Sequence, residues 1–230
     1  MRVILVANPK GGCGKTTIAT NLACFYARWG LHPILLDADA QCSSSDWQTT
    51  RDRSLPRVTV TSTTMERLPE HLRQARARAI AETLVIVDLP AAFPIAAELD
   101  VLSLSHLALW PMLASPIDTR AMVHHLFDLH KHDFDGVRAP VVGVVANRVR
   151  PHTRLQRELT EGFFQRIRFP LVGELRDTVN YPTAAERGMG IVELPARQVI
   201  KDLLQWQGIL EWINGRLWPE KRLDVAALLD

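Results

Sequence analysis

Short apolar β-type runs that alternate with amphipathic helical patterns predict an α/β fold, a doubly wound, mostly parallel sheet flanked by helices. Two further observations support this class. A glycine-rich stretch joins the first apolar run to the first helical pattern, and three runs end on a polar residue, Asp37, Asp88 and Asn147. Strands of such sheets end this way where their carboxyl ends open onto a ligand crevice. At 230 residues, 47% of them apolar, the chain can bury a sizeable core. No internal repeat or low-complexity linker breaks the alternation. The expected division is one domain over 1–218 and a polar C-terminal tail over 219–230.

In chain order the strand candidates are 3–7, 34–36, 58–61, 84–87, 107–110, 141–146 and 171–173. Ile18, Leu22 and Tyr26 form one stripe of the first helix, which Gly30 closes at a C-cap. Later helices are expected over 66–82, 118–130, 155–166 and 198–217. The last is rich in apolar residues, among them Trp206, Ile209, Leu210, Trp212, Ile213 and Leu217, with Trp218 just beyond. Its polar side carries few basic residues, so packing against the sheet is the expectation and lying on a membrane the alternative.

Composition narrows the class. A formal charge of +2 is mildly basic and compatible with weak nucleic-acid contact. Three cysteines, all before position 43, make no disulfide framework and suit a reducing compartment. The first residues run straight into a strand pattern, no cleavable signal fits, and no apolar stretch is long enough to span a bilayer. The expectation is a soluble cytoplasmic protein.

The run Lys10-Gly11-Gly12-Cys13-Gly14-Lys15-Thr16-Thr17 reads as a phosphate-binding loop. Its glycines let backbone N–H groups close around phosphate oxygens, Lys15 brings charge to the outer phosphates, and the Thr16 hydroxyl suits Mg²⁺. The helix that follows points its positive end at the same anion. Two of the chain's five lysines lie in this loop, where a compact ammonium suits close approach to phosphate. Pro9 stands where the common pattern has glycine. After the second strand, Asp37-Ala38-Asp39-Ala40-Gln41 places two carboxylates one residue apart at a strand tip, able to share work on a metal and an attacking water. Leu84-Val85-Ile86-Val87 delivers Asp88, either a metal carboxylate or a structural strand end. The Asn147 amide offers a donor and an acceptor suited to an adenine edge.

The segment from Lys10 to Thr17 resembles the deviant Walker A motif of the ParA/MinD family of ATPases, and the resemblance extends from Val3 to about Val192. It implies ATP and Mg²⁺ as cofactors and an ATP-dependent sandwich homodimer in which Lys10 reaches the partner's nucleotide. Gly12 stays small there because two backbones approach. The segment Asp37–Gln41 is similar to the family's switch I, with Ala40 in place of proline; Asp39 would orient the hydrolytic water and Asp37 would support the Mg²⁺ shell. Asp88 has Walker B form, although Leu89-Pro90-Ala91-Ala92 departs from the usual continuation. The resemblance assigns Asn147 to adenine with Arg176 as a later wall of the base pocket, and places Pro116 and Asp118 at the dimer face. A proline turn in which Ser115 or Asp118 caps the next helix is the plain alternative.

The short family members that the chain resembles bind DNA without sequence preference and move or space a cargo: a plasmid, a chromosome region or a protein assembly such as a carboxysome. A ParB-like adaptor stimulates their hydrolysis, and the place implied is the nucleoid. Candidate DNA contacts are Arg148, Arg150, Arg154 and Arg157; Arg73, Arg76 and Arg78; and Arg197 with Lys201. For each group a solvated helix face is the alternative. A MinD-like membrane-associated ATPase and a biosynthetic ligase of the same loop class remain alternatives. His124, His125, His130 and His132 lack a completing ligand set for a metal, because neighbours in sequence do not share a helix face.

Overall fold

The computed structural model describes residues 1–79, 83–91, 93–113, 115–131, 140–150 and 169–220. The strands are β1 (Arg2–Val6), β2 (His32–Asp37), β3 (Thr59–Ser62), β4 (Thr83–Asp88), β5 (Leu107–Leu113), β6 (Val141–Val149) and β7 (Leu171–Arg176). They form one sheet in the order β3-β2-β4-β1-β5-β6-β7, every pair parallel. The helices are α1 (Lys15–Arg28), α2 (Ser43–Thr50), α3 (Leu68–Arg78), α4 (Ile95–Ser103), α5 (Pro116–Lys131), α6 (Asn180–Glu186) and α7 (Ala196–Leu217), with one helical turn over Ile191–Glu193. The doubly wound expectation holds. The helix expected over 155–166 and the tail from 221 lie outside the described residues.

Alternation along β1 builds both layers of the core. Ile4 and Val6 face a cluster with Ile18, Leu22 and Phe25 of α1 and Trp206, Ile209, Leu210 and Ile213 of α7. Val3 and Leu5 face the opposite cluster, with Leu68 and Leu72 of α3, Val101 and Leu102 of α4, and Met122 and Leu129 of α5. This period-2 division is what a strand buried on both faces requires. Trp206 and Ile213 are fully buried, so the tryptophan-rich helix packs on the sheet as expected. Truncation of Trp206 to Ala would remove about 3–5 kcal/mol of packing.

β5 is longer than the sequence suggests because it runs through Pro111. The Pro111 carbonyl accepts from Asn8 Nδ2 at 2.6 Å, on the β1 side. A residue's nitrogen and carbonyl point the same way in a strand, so the missing N–H also faces that side. Pairing of β5 with β1 has already ended at Leu109, and no ladder bond is lost. The sheet thereby carries a loop-anchoring carbonyl past the end of β1.

Candidate functional site

All the sequence-predicted strand-end residues lie at the carboxyl edge of the sheet, around the loop that leaves β1. Asn8 fastens the start of that loop, donating to Pro111 and accepting from the Lys10 N–H at 2.8 Å. Gly14, the residue before α1, has φ 95°, which only glycine adopts without strain. A Cβ there would also run into the Asn147 side-chain nitrogen. Gly12 has φ 75° with open space beside it, so backbone conformation sets its constraint within one chain. Lys15 is buried, and its Nζ donates to the Lys10 carbonyl at 3.2 Å. The Cys13 thiol approaches the same carbonyl at 3.3 Å, and burial pushes its pKa up.

The two strand-end carboxylates, Asp37 and Asp88, are register partners on neighbouring strands and are both buried. Asp37 holds the turn that follows it. Its Oδ1 accepts from the Asp39 N–H at 3.2 Å, and its Oδ2 accepts from the Ser45 N–H and hydroxyl at 2.8 and 2.9 Å. Asp88 accepts from the Ser44 hydroxyl at 2.8 Å through Oδ2, whereas its buried Oδ1 has no hydrogen-bond partner. Burial raises the Asp88 pKa to about 6; the nearby Thr16 hydroxyl and the bond from Ser44 oppose that rise, the Asp37 charge adds to it, and Lys15 lowers it. An orphaned buried carboxylate oxygen beside the Thr16 hydroxyl fits a hard divalent cation, which takes oxygen ligands. Of the pair, Asp88 keeps the free oxygen and Asp37 is engaged in the turn.

A cavity of about 850 Å³ lies over the loop, within the size of small-molecule sites. Gly11, Gly12, Gly14, Lys15, Thr16 and Thr17 line its floor, and Asp39, Gln41 and Ser43 line one wall. Asp39 turns one oxygen to the Gln41 N–H at 2.9 Å. Asn147, Arg148, Arg176 and Tyr181 belong to the opposite wall. Asn147 also braces the loop: its Nδ2 donates to the Cys13 carbonyl at 2.8 Å and its Oδ1 accepts from the Arg148 N–H at 3.0 Å. Arg176 is held by Asp202 of α7 in a two-pronged pair, at 2.5 and 3.0 Å.

On the other flank of the loop, Lys10 Nζ meets Asp118 Oδ1 at 2.6 Å. Ser115 caps α5, its hydroxyl accepting from the Asp118 N–H at 3.1 Å, and it also donates to the Asp118 carboxylate. Capping and presentation toward Lys10 therefore occur together. Pro116 opens α5.

The candidate DNA residues separate. Arg148 and Arg150 both lean on Asp177, at 3.6 and 3.3 Å, which offsets part of their charge. Arg73 and Arg76 on α3, and Arg197 and Lys201 one helical turn apart on α7, are exposed. Arg154 and Arg157 lie outside the described residues, as does His132. His125 is a core residue, paired with the buried Glu98 at 3.1 Å and edge-on to Trp110. Among the described residues no three His, Cys, Asp or Glu side chains gather as a metal cluster.

Sequence reasoning missed three supports. Arg51 forms a buried pair with Glu193 at 2.5 Å and also donates to the Gly188 carbonyl at 2.8 Å. Asp202 has no local pattern that points to Arg176. Ser44 lies three residues beyond the switch-like segment, and only its place on the first turn of α2 brings it to Asp88.

The loop, the parallel sheet and the carboxylates at the strand ends define a P-loop nucleotide-binding protein of the doubly wound kind. The chain belongs to the CobQ/CobB/MinD/ParA nucleotide binding domain family, whose model matches residues 4–191. The maintenance of carboxysome distribution protein A of Gloeobacter kilaueensis is 35% identical over 122 residues, 53% of this chain and 54% of that protein. That match spans about half the relative's length. The protein of the same name from Halothiobacillus neapolitanus is 26% identical over 196 residues, 84% of this chain and 88% of that one. Three solved structures share the fold. Apo McdA of Cyanothece has a TM-score of 0.76 at 14% identity, with 93% of this chain and 99% of that chain covered. The Cyanothece McdA(D38A)–ATP complex has a TM-score of 0.70 at 16% identity, with 97% and 98% covered. The septum site-determining protein MinD with Mg-ADP, from Pyrococcus horikoshii, has 0.68 at 13% identity, with 96% and 99% covered. No helix among the described residues is long and apolar enough to cross a membrane.

Proposed function

We propose that this chain is a ParA-type positioning ATPase. It binds ATP with Mg²⁺, pairs face to face with a second copy over the nucleotides, contacts DNA without sequence preference, and resets by hydrolysis when a cargo adaptor of the ParB kind engages it. The observation that carries the reading is the division of labour between two lysines. Lys15 sits in the cradle, while Lys10 stands at its rim, one-third exposed and paired with Asp118. A partly exposed ion pair contributes only about 1 kcal/mol. It exchanges readily for a polyanionic phosphate on a second copy, which couples nucleotide to dimerisation.

The backbone N–H groups of Gly11–Thr17 and the Lys15 ammonium hold the phosphates, with the Thr16 hydroxyl and Asp88 as the cation's side-chain partners. Mg²⁺, when bound, neutralises charge on the phosphate oxygens. Asp39, on the cavity wall, orients the water that attacks the terminal phosphoryl group, giving ADP and phosphate. Arg197 and Lys201 supply charge for DNA phosphates without reading bases. The carboxysome-distribution relatives favour a protein assembly as cargo over a plasmid.

The test is binding of the purified protein to random-sequence duplex DNA with ADP, ATP or a slowly hydrolysed analogue, at two salt concentrations. Binding confined to the ATP-like states and lost at higher salt is the expected result. Equal binding in all states, or none, would remove DNA as the track.

A further inference from the structure

The first turn of α2 gives each strand-end carboxylate its own serine. Ser45 holds Asp37, and Ser44, fully buried, holds Asp88 through Oδ2. That one bond leaves Oδ1 as the buried, unpartnered oxygen of the pair. The other end of α2 is fastened independently. Trp47 Nε1 donates to the Met189 carbonyl at 3.2 Å, and Arg51, which follows the helix, forms the buried pair with Glu193. With α2 anchored at its far end, Ser44 is the fixed post and the Asp88 carboxylate is the group it holds.

We propose that Ser44 is the positioning residue for the divalent cation: its hydroxyl locks the rotation of the Asp88 carboxylate so that Oδ1 stays available beside the Thr16 hydroxyl. Without that bond the carboxylate is free to rotate, and Oδ1 can accept from the neighbouring Thr16 hydroxyl instead of facing the cation. Outer hydrogen bonds of this kind change metal affinity by about 10–100-fold. The same bond ties the cation to the turn that carries Asp39 and Gln41, because Ser43, next to Ser44, lines the cavity with them. The inference rests on the reading of this cavity as a nucleotide and cation site.

The experiment measures free Mn²⁺ by electron paramagnetic resonance during titration into the ADP-bound protein, for wild type, Ser44→Ala and Ser45→Ala. ADP affinity in EDTA is measured in parallel. Ser44→Ala should weaken Mn²⁺ binding about 10-fold, with ADP affinity in EDTA unchanged. Ser45→Ala, which removes a hydroxyl from the same turn but not from Asp88, should leave Mn²⁺ affinity unchanged. Should Ser44→Ala not fold, Ser44→Cys, whose thiol fills similar space but donates weakly, takes its place. Equal Mn²⁺ affinity in Ser44→Ala and wild type, or equal losses in the two serine variants, would overturn the positioning role. Failure of wild type to bind ADP at all would instead overturn the reading of the site, and this inference with it.

Discussion

The two flanks of the phosphate loop share buried carboxylates and serine hydroxyls but differ in whether a cation joins them. On the β2–β4 flank, Asp37 and Asp88 are sealed from water and held by serine hydroxyls and backbone N–H groups, with no ion pair among the described residues. On the β5–α5 flank, the buried Asp118 takes the Ser115 hydroxyl and is also paired with Lys10, whose side chain is 35% exposed. Hydroxyls fix an angle, and the sealed flank therefore keeps one geometry. A half-open ion pair fixes little, and the other flank can trade partners. In the proposed function, chemistry falls to the first and assembly to the second.

Five variants sharpen or break this contrast. Asp39→Ala should have the largest effect, a drop of at least about 100-fold in phosphate release with ATP binding retained, because orientation of the attacking water is lost; the ATP-bound dimer should then persist on size-exclusion chromatography. Asp88→Asn should change the pH dependence of stability without nucleotide. The Asp88 pKa of about 6 lies above its unfolded value of about 3.8, so stability from the protonated form is present below the lower value and lost as pH rises through the upper. Urea unfolding of the Asn variant, neutral throughout, should gain about 2 kcal/mol over wild type between pH 4 and pH 7.5. No change in that gap would mean that Asp88 is not sealed. Asp118→Asn should release Lys10 and tighten ATP-dependent dimerisation about 3–5-fold, by sedimentation, in line with about 1 kcal/mol for a partly exposed pair. The smallest effect belongs to Arg197→Ala and Lys201→Ala, each reducing the salt slope of DNA binding by about one phosphate contact.

What was legible in the sequence was local. The loop announces itself through Gly11, Gly12, Gly14 and Lys15 between an apolar strand and a helix, and Asp88 through four apolar residues before it. α2 was not legible, because Ser43–Thr50 is poor in helix formers and reads as a turn. It is helical because Ser44 and Ser45 meet buried carboxylates and Trp47 and Arg51 dock on residues 188–193. The Arg51–Glu193 and Arg176–Asp202 pairs join positions 142 and 26 residues apart, and no periodicity carries that information. Asn147 was found for its amide, but its hold on the Cys13 carbonyl required the β6–loop approach.

The most direct measurement is the mass of the protein in solution with Mg-ATP and with Mg-ADP, by light scattering, for wild type and Lys10→Ala. Wild type is expected to be dimeric with ATP and monomeric with ADP, and Lys10→Ala monomeric with both while still binding ATP. A Lys10→Ala chain that dimerises with ATP as wild type does would contradict the role of the exposed lysine and, with it, the division between a fixed flank and an exchangeable one.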